Sequence, residues 1–346
     1  VAHDIVAANV SADARLGDYY MDLIPAVAPL SSGVYGPVDE RGVPLIDYDR
    51  AFKSRWMLGR KRRTYGIHYT PVTVAQFALG LHAQLLKGEG SRETFLCQAG
   101  WLRDNLVAMP AGFGLWLHNF AQLSYRLEPP WVSGMAQGQG ISTLLRAFQL
   151  TGDETYRDAA FFAAAAFAHD ISEGGVACRD EDGSLWLEEY PSDPPSHVLN
   201  GFIFALWGVF DLWRVTEDAR YRHLWDEGVQ TLKRNLPRYE RSGGWSRYDV
   251  LREEKVSSEY HWTHVVQLEI MGALTGENLF LEVAERWRRS GERSNETVIS
   301  AVRVARGVLR RLGILPRPKV TGVSVRIPAK TLEPVRERLE MVVGKR

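Results

Sequence analysis

Up to about residue 70 the apolar positions keep no sustained period. From about residue 71 they recur at helical spacing in long segments. These segments come in pairs. "LLRAFQLTGDETYRDAAFFAAAAFAHDI" reads as a helix, a Thr-Gly-Asp turn and a second helix. "ALWGVFDLWRVTEDARYRHLWDEGVQTLKRNL" has the same plan around Thr216-Glu217-Asp218, and "VVQLEIMGALTGENLFLEVAERWRRS" repeats it around Thr275-Gly276-Glu277. A weaker earlier copy is "QFALGLHAQLLKGEGSRETFLCQAGWLRDNL". The turns recur at about 60 residues, the mark of a repeat architecture, and the polar residue closing each turn is placed to cap the second helix. The first helix of a pair is almost wholly apolar, as in "FIFALWGVFDLW", and the second is amphipathic. Such a hairpin buries its apolar face only against its neighbours. The pattern therefore predicts an inner and an outer ring: a mainly α chain forming an α/α barrel, an incomplete toroid of about four helical hairpins. A right-handed solenoid is the alternative.

Three segments follow. Residues 1–70 form an N-terminal irregular or β-hairpin region, in which "VYGPVDERGVPLIDY" reads as two short extended pieces around a turn at Asp39 to Gly42. Residues 71–313 form the α/α barrel, ending in "NETVISAVRVARGVLRRLG", one more helix after about residue 294. Residues 314–346 are a tail that alternates like a strand at Val323, Val325 and Ile327, then turns helical, with no role assigned.

A toroid gathers its inter-pair loops at the N-terminal ends of the inner helices. Here those loops are "LEPPWVSGMAQGQGIS", "LEEYPSDPPSHVLN" and "GGWSRYDVLREEKVSSEYHWTH", long and rich in Tyr, Trp, Glu, Gln and His, whereas the turns within pairs are short and plain. Function concentrates on such loops. Composition agrees: 11 Trp, 13 Tyr and 13 Phe fill a core and also supply flat faces on which sugar rings stack. Lys plus Arg equals Asp plus Glu at 42 each, so no basic stripe points to nucleic acid. One basic run, Arg60, Lys61, Arg62 and Arg63, reads as a solvated loop or as a contact for an acidic ligand. Cys97 and Cys178 make neither a disulfide framework nor a metal spacing. No apolar run is long enough to span a bilayer. The sequence opens at Val1 without a signal-peptide pattern; an upstream segment is admitted and localisation left open.

Taken singly the motifs are ambiguous. "GMAQGQGIS" is not a dinucleotide fingerprint, since no strand precedes it and Thr143 holds the last glycine position. Gln137 and Gln139 sit just before a helix, where amides suit sugar hydroxyls; an ordinary glycine-rich loop is the plainer reading. His261 and His264 in "YHWTH" stand three apart without a third ligand, so no metal is expected. His261 reads as a structural histidine or a hydrogen-bond donor to substrate. Tyr248 stands four residues before Arg252 in "SRYDVLRE". Arg suits a planar carboxylate, or it pairs with Glu253 or Glu254. Glu189 and Tyr190 in "EEYP" precede the helix that Ser196 is placed to cap.

Together, "PWVSGMAQGQGISTLLRA", "EEYPSDPPSHVLNGFIFAL" and "SEYHWTHVVQLEIM", with "HYTPVTVAQFALGLH" opening the helical domain, resemble in order and spacing the C-terminal domain of the D-glucuronyl C5-epimerases. Those enzymes convert D-glucuronate to L-iduronate in heparosan or heparan-type chains. The resemblance covers most of residues 65 to 290 and implies an α/α barrel after a small β region; the further β-domain of animal members has no room in this chain. Carried over residue by residue, the family's catalytic Glu and Tyr fall on Glu189 and Tyr260, its neighbouring Tyr on Tyr190, and the Tyr of its Tyr-Asp motif on Tyr248. Its Arg follows that tyrosine by three positions, whereas here Val250-Leu251 intervene and Arg252 comes one residue late. Asn200 matches a substrate-contacting Asn.

C5 epimerisation removes a proton α to a carboxylate and returns one to the other face. It needs a base on each face and donors or a cation that neutralise the aci-carboxylate dianion, for which Arg252 and tyrosine hydroxyls are candidates. A phenol of pKa about 10 is a poor base, so His261 or Arg252 is expected to lower it. No cofactor is required. The expected partner is an acidic, glucuronate-containing polysaccharide, without nucleic acid or a membrane span; a homodimer is compatible with the sequence. Three competitors remain: a lyase that follows the same proton abstraction with β-elimination, an inverting hydrolase using Glu189 with Asp249 or Glu253, and a sugar-binding module without chemistry.

Overall fold

The computed structural model describes residues 15–21, 37–48, 66–252 and 256–311, the segment 295–311 by its backbone only. The basic run at 60–63, Glu253, Glu254 and the tail 314–346 with its alternating valines lie outside the described residues. Residues 2–290 form one compact unit and residues from Gly291 onward a second.

Eight helices form among the described residues: α1 (Pro71–Leu86), α2 (Arg92–Asp104), α3 (Gly134–Thr151), α4 (Glu154–Ala164), α5 (Leu199–Thr216), α6 (Ala219–Asn235), α7 (Ser258–Thr275) and α8 (Asn278–Arg311). Helices α1, α3, α5 and α7 pack side by side in that order, and α2, α4 and α6 each back onto the helix before them. Leu281 of α8 packs on Gly272 of α7. This is the incomplete α/α toroid of four helical hairpins. Inner helix α5 is buried continuously from Leu199 to Leu212, whereas outer helix α6 buries only one stripe, including Trp225, Val229 and Leu232.

One device makes three of the hairpins. Thr151, Thr216 and Thr275 each end an inner helix, and each hydroxyl donates to the carbonyl four residues back at 2.7 Å. The next residue, Gly152, Glu217 or Gly276, is left-handed with φ of 74°, 55° and 72°. The threonine hydroxyl then accepts the N–H of Asp153, Asp218 or Glu277 at 3.1–3.2 Å. The two aspartates cap the outer helices.

Two expectations change. The helix expected after residue 294 is the continuation of α8, because an internal glycine such as Gly291 weakens a helix by about 1 kcal/mol without ending it. The glycine-rich "GMAQGQGIS" is the body of α3, whose first residue is Gly134. Its glycines serve helix contact. A Cβ on Gly138 would stand 2.6 Å from Ala205 Cα, and one on Gly208 of α5 only 2.5 Å from Gly138, so α3 and α5 cross backbone to backbone.

Six very short strands form three antiparallel pairs: β1 (Ile46–Asp47) with β2 (Ile67–His68), β3 (Val107–Ala108) with β4 (Gly114–Leu115), and β5 (Ala177–Arg179) with β6 (Leu185–Leu187). The first pair belongs to the small N-terminal β region, where Asp39 and Gly42 make the expected turn. The segment Leu16–Tyr20 enters the core between the inner helices. Tyr20 donates to Asp211 at 2.5 Å, Asp211 pairs with Arg146 at 2.7 Å, and Arg146 also donates to the Gly17 carbonyl at 3.2 Å.

Candidate active site

The site is built where β6 runs out beside the head of α5. The strand is pinned on both sides, since Glu188 N–H donates to the Val176 carbonyl and Gly134 N–H donates to the Glu188 carbonyl, each at 2.7 Å. The two glutamates that follow β6 have different surroundings. Glu188 is closed off, accepting Ser196 Oγ at 2.9 Å and the His197 N–H at 3.1 Å. Glu189 is 6 % exposed and lies on the first turn of α5, where a Cβ on Gly201 would stand 2.2 Å from Glu189 Oε2. Only glycine at 201 leaves room for that carboxylate. Its Oε1 accepts Tyr248 Oη at 3.4 Å, and Oε2 has no hydrogen-bond partner among the described residues.

The third inter-pair loop is tied to the second. Leu199 N–H donates to the Tyr248 carbonyl at 3.0 Å and Val250 N–H to the Ser196 carbonyl at 3.2 Å. Tyr248 meets the edge of Tyr260 at 4.8 Å between ring centres. Tyr260 sits in the first turn of α7, capped by Ser257, and at 44 % exposure stands at the open side. Tyr190 stacks on Tyr125 at 4.3 Å. Tyr125 donates to Asp249 at 2.6 Å, and Arg252 pairs with Asp249 at 2.7 Å and covers the Tyr125 ring at 4.5 Å. Glu189, Tyr190, Tyr248 and Tyr260 are thus brought together, with Arg252 against Tyr248 at 5.9 Å. Asn200, the second residue of α5, is buried with its Oδ1 unpartnered among the described residues.

Burial pushes the Glu189 carboxyl up to about 7. The hydroxyls of Tyr190 and Tyr248 oppose that rise, and the charges of Glu188 and Asp249 add to it. The phenols of Tyr190 and Tyr248 are held well above their ordinary value, chiefly by burial and then by Glu189. Tyr260 is raised for the same two reasons, although the residue itself is 44 % exposed. A tyrosine lowered by Arg252 or His261 was expected, and the direction is the opposite. The charge of Arg252 is matched by Asp249, and His261 is sealed away from solvent.

Four expectations are corrected. His261 is fully buried, stacked on Trp245 at 3.9 Å, with Nδ1 accepting Ser246 N–H at 3.1 Å and Nε2 bonded to the Trp287 carbonyl at 2.9 Å. Both ring nitrogens are spent within the protein, which favours the structural one of its two readings. Gln137 is fully buried inside α3 and spends its amide on Trp116 N–H and on the carbonyls of Gly114 and Ala163. Gln139 is buried beside Tyr19. Ser196 does not cap α5: Val198 holds the N-cap position without a side-chain bond, and Ser196 turns to Glu188 and the Tyr190 carbonyl. Sequence reasoning missed Tyr125, which lies just before the loop taken as the first inter-pair loop; its only signal was an aromatic residue near that loop. Among the described residues no group of three or more His, Cys, Asp or Glu is arranged to hold a metal, and no helix is long and apolar enough to cross a membrane.

A carboxyl titrating near neutrality, ringed by phenols at one rim of a helical toroid, defines a scaffold suited to proton transfer on a bound ligand. Residues 112–289 match the model of the D-glucuronyl C5-epimerase C-terminus, and the chain belongs to that family. It is 36% identical over 189 residues to the D-glucuronyl C5-epimerase of Caenorhabditis elegans, covering 49% of this chain and 30% of that protein. It is 32% identical over 179 residues to an uncharacterized protein of Methanocaldococcus jannaschii, covering 51% of this chain and 58% of that one. The chain therefore spans less than two thirds of the length of either relative. A crystal structure of the unsaturated glucuronyl hydrolase from Streptococcus agalactiae overlaps 64% of this chain and 56% of its own, at 16% identity and a TM-score of 0.41.

Proposed function

We propose that this chain is a uronate C5-epimerase that converts D-glucuronate to L-iduronate within a heparosan-like polysaccharide by two-base proton transfer at C5. The observation that carries the reading is the pairing of a carboxyl poised at about 7 with a protonated phenol, Tyr260, at the open side of the same site. As carboxylate, Glu189 takes the C5 proton. The electron pair moves into the C6 carboxyl group, giving the dianion, and Tyr260 returns a proton to the opposite face of C5. Glu189 is then protonated and Tyr260 is a phenolate, and exchange through solvent at the exposed Tyr260 resets both. Preorganised donors favour the charge that develops: the hydroxyls of Tyr190 and Tyr248, the guanidinium of Arg252 and the positive end of α5, which starts without a side-chain cap. Asn200 supplies a further contact on that turn.

An inverting hydrolase has less support. Of its two expected partners for Glu189, Asp249 is fully buried and engaged by Tyr125 and Arg252, and Glu253 lies outside the described residues. A lyase is separated by experiment. The protein is incubated with heparosan in D2O and C5–H is followed by NMR. Loss of C5–H with appearance of iduronate is expected. Exchange with unsaturated uronate absorbance reassigns the protein as a lyase, and no exchange on any uronate polymer sinks the reading. Glu189→Gln and Tyr260→Phe should each lower the rate by at least about 100-fold while circular dichroism is unchanged. A wild-type rate in either removes that residue from the mechanism.

A further inference from the structure

Behind the site, on the far side of the Glu188–Glu189 pair, lies a second cluster that the mechanism does not use. His197 is buried and stacked on Trp186 at 4.3 Å. Its Nδ1 is 2.5 Å from Glu188 Oε1 and its Nε2 is 3.0 Å from Asp180 Oδ1. A neutral ring donates to one of these carboxylates, and the imidazolium to both. The backbone is held as firmly. His197 has φ 47°, a conformation L residues rarely adopt, its N–H donates to Glu188, and its carbonyl accepts Tyr239 Oη at 2.5 Å. Ser196 Oγ lies within reach of both Glu188 and the Tyr190 carbonyl. The loop from Glu188 to Val198 therefore closes on itself through one carboxylate and one imidazole, with Glu189 and Tyr190 projecting from its other side.

We propose that His197 is a positioning residue for the reaction: held as the imidazolium between Glu188 and Asp180, it offsets part of the charge of Glu188 and fixes the loop so that Glu189 is the one carboxylate of the adjacent pair presented to substrate. The proposal rests on the epimerase reading for its consequence in catalysis, but its electrostatic content can be measured without catalysis. Glu189 is faced by Glu188 and Tyr190 on its own segment, by Tyr248 and Asp249 from the third inter-pair loop, by Tyr260 from α7 and by Tyr125 from the preceding loop. His197 is faced by Glu188 and Asp180, and Arg238 stands 3.6 Å from Asp180. Without the imidazolium, the Glu188 carboxylate acts uncompensated on its neighbour, and like charges raise a carboxyl pKa.

The test is the titration of Glu189 by 13C NMR of its carboxyl carbon, assigned through Glu189→Gln, alongside the pH profile of kcat/KM on heparosan. In His197→Gln the midpoint and the acid limb should move up by about one pH unit. In Glu188→Gln, where the cation remains, both should move down, and the double variant should return close to wild type. A role in packing alone would lower the rate or the Tm and leave the midpoint in place. An unmoved Glu189 midpoint in folded His197→Gln, or in Glu188→Gln if the first variant does not fold, overturns the proposal. If the wild type shows no C5 exchange, the epimerase reading falls while the NMR midpoints still decide what His197 does to Glu189.

Discussion

Glu188 and Glu189 are chemical twins one peptide apart, and the fold sets them to different work. Glu188 meets an imidazole, a hydroxyl and a backbone N–H; Glu189 accepts Tyr248 at 3.4 Å, and its Oε2 has no hydrogen-bond partner among the described residues. The second environment has a thermodynamic signature. A carboxyl raised to about 7 in the folded protein binds a proton there that the unfolded chain has already lost. The stability it contributes is fully present below the unfolded pKa, near 4.5, and is lost as pH rises through about 7. The difference amounts to about 3 kcal/mol. Glu189→Gln removes that dependence, so its urea midpoint relative to wild type should rise between pH 5 and pH 8. A constant difference would show that Glu189 is not the titrating group. The same pair shows what the sequence carried. "EEYP" and "SEYHWTH" are multi-residue patterns, and the resemblance led from them to Glu189, Tyr190 and Tyr260, and from the Tyr-Asp motif to Tyr248. The burial of Gln137, Gln139 and His261 was not legible, because a polar side chain beside a loop looks the same whether it meets solvent or the carbonyls of a neighbouring element.

At the scale of elements, the hairpin turns were legible because Thr, a left-handed residue and an acidic residue recur in fixed order. Two of the three use glycine in the left-handed position, and the third places Glu217 there at φ 55°. A side chain in that region costs roughly 1 kcal/mol. Glu217→Gly should therefore raise stability by about 1 kcal/mol, read as a higher midpoint in urea, and a lower midpoint would show that Glu217 makes an offsetting contact. The strands were not legible. Leu185, Trp186 and Leu187 are all buried, so β6 has no alternation to read, and three residues are too few to show one. Glycines misled in the other direction: Gly134, Gly138 and Gly140 suggested a loop, yet they let the end of β6, helix α5 and Trp116 approach the backbone of α3.

For the molecule as a whole, the core of the unit 2–290 is continuous from α1 to α8 and includes Leu16, Tyr19 and Tyr20 from the N-terminal segment. The Arg146–Asp211 pair that receives Tyr20 is fully buried, and removing one partner of such a pair leaves a charge without its counter-ion. Asp211→Asn should cost about 3 kcal/mol or more, measured by urea unfolding. A loss below about 1 kcal/mol would mean that water reaches Arg146. This part of the fold was not visible in the sequence, because single residues nearly 200 positions apart carry no shared pattern.

That inserted segment gives the toroid a direction. Tyr19 and Tyr20 pack against Phe204, Trp207 and Phe210 of α5, so among the described residues of the unit 2–290 aromatic side chains fill the space between the inner helices, while Glu189 and Tyr260 lie at the heads of α5 and α7. For the polysaccharide proposed above, that filling rules out passage between the inner helices and leaves approach from their loop end, where a residue in the middle of a chain is as accessible as one at its end.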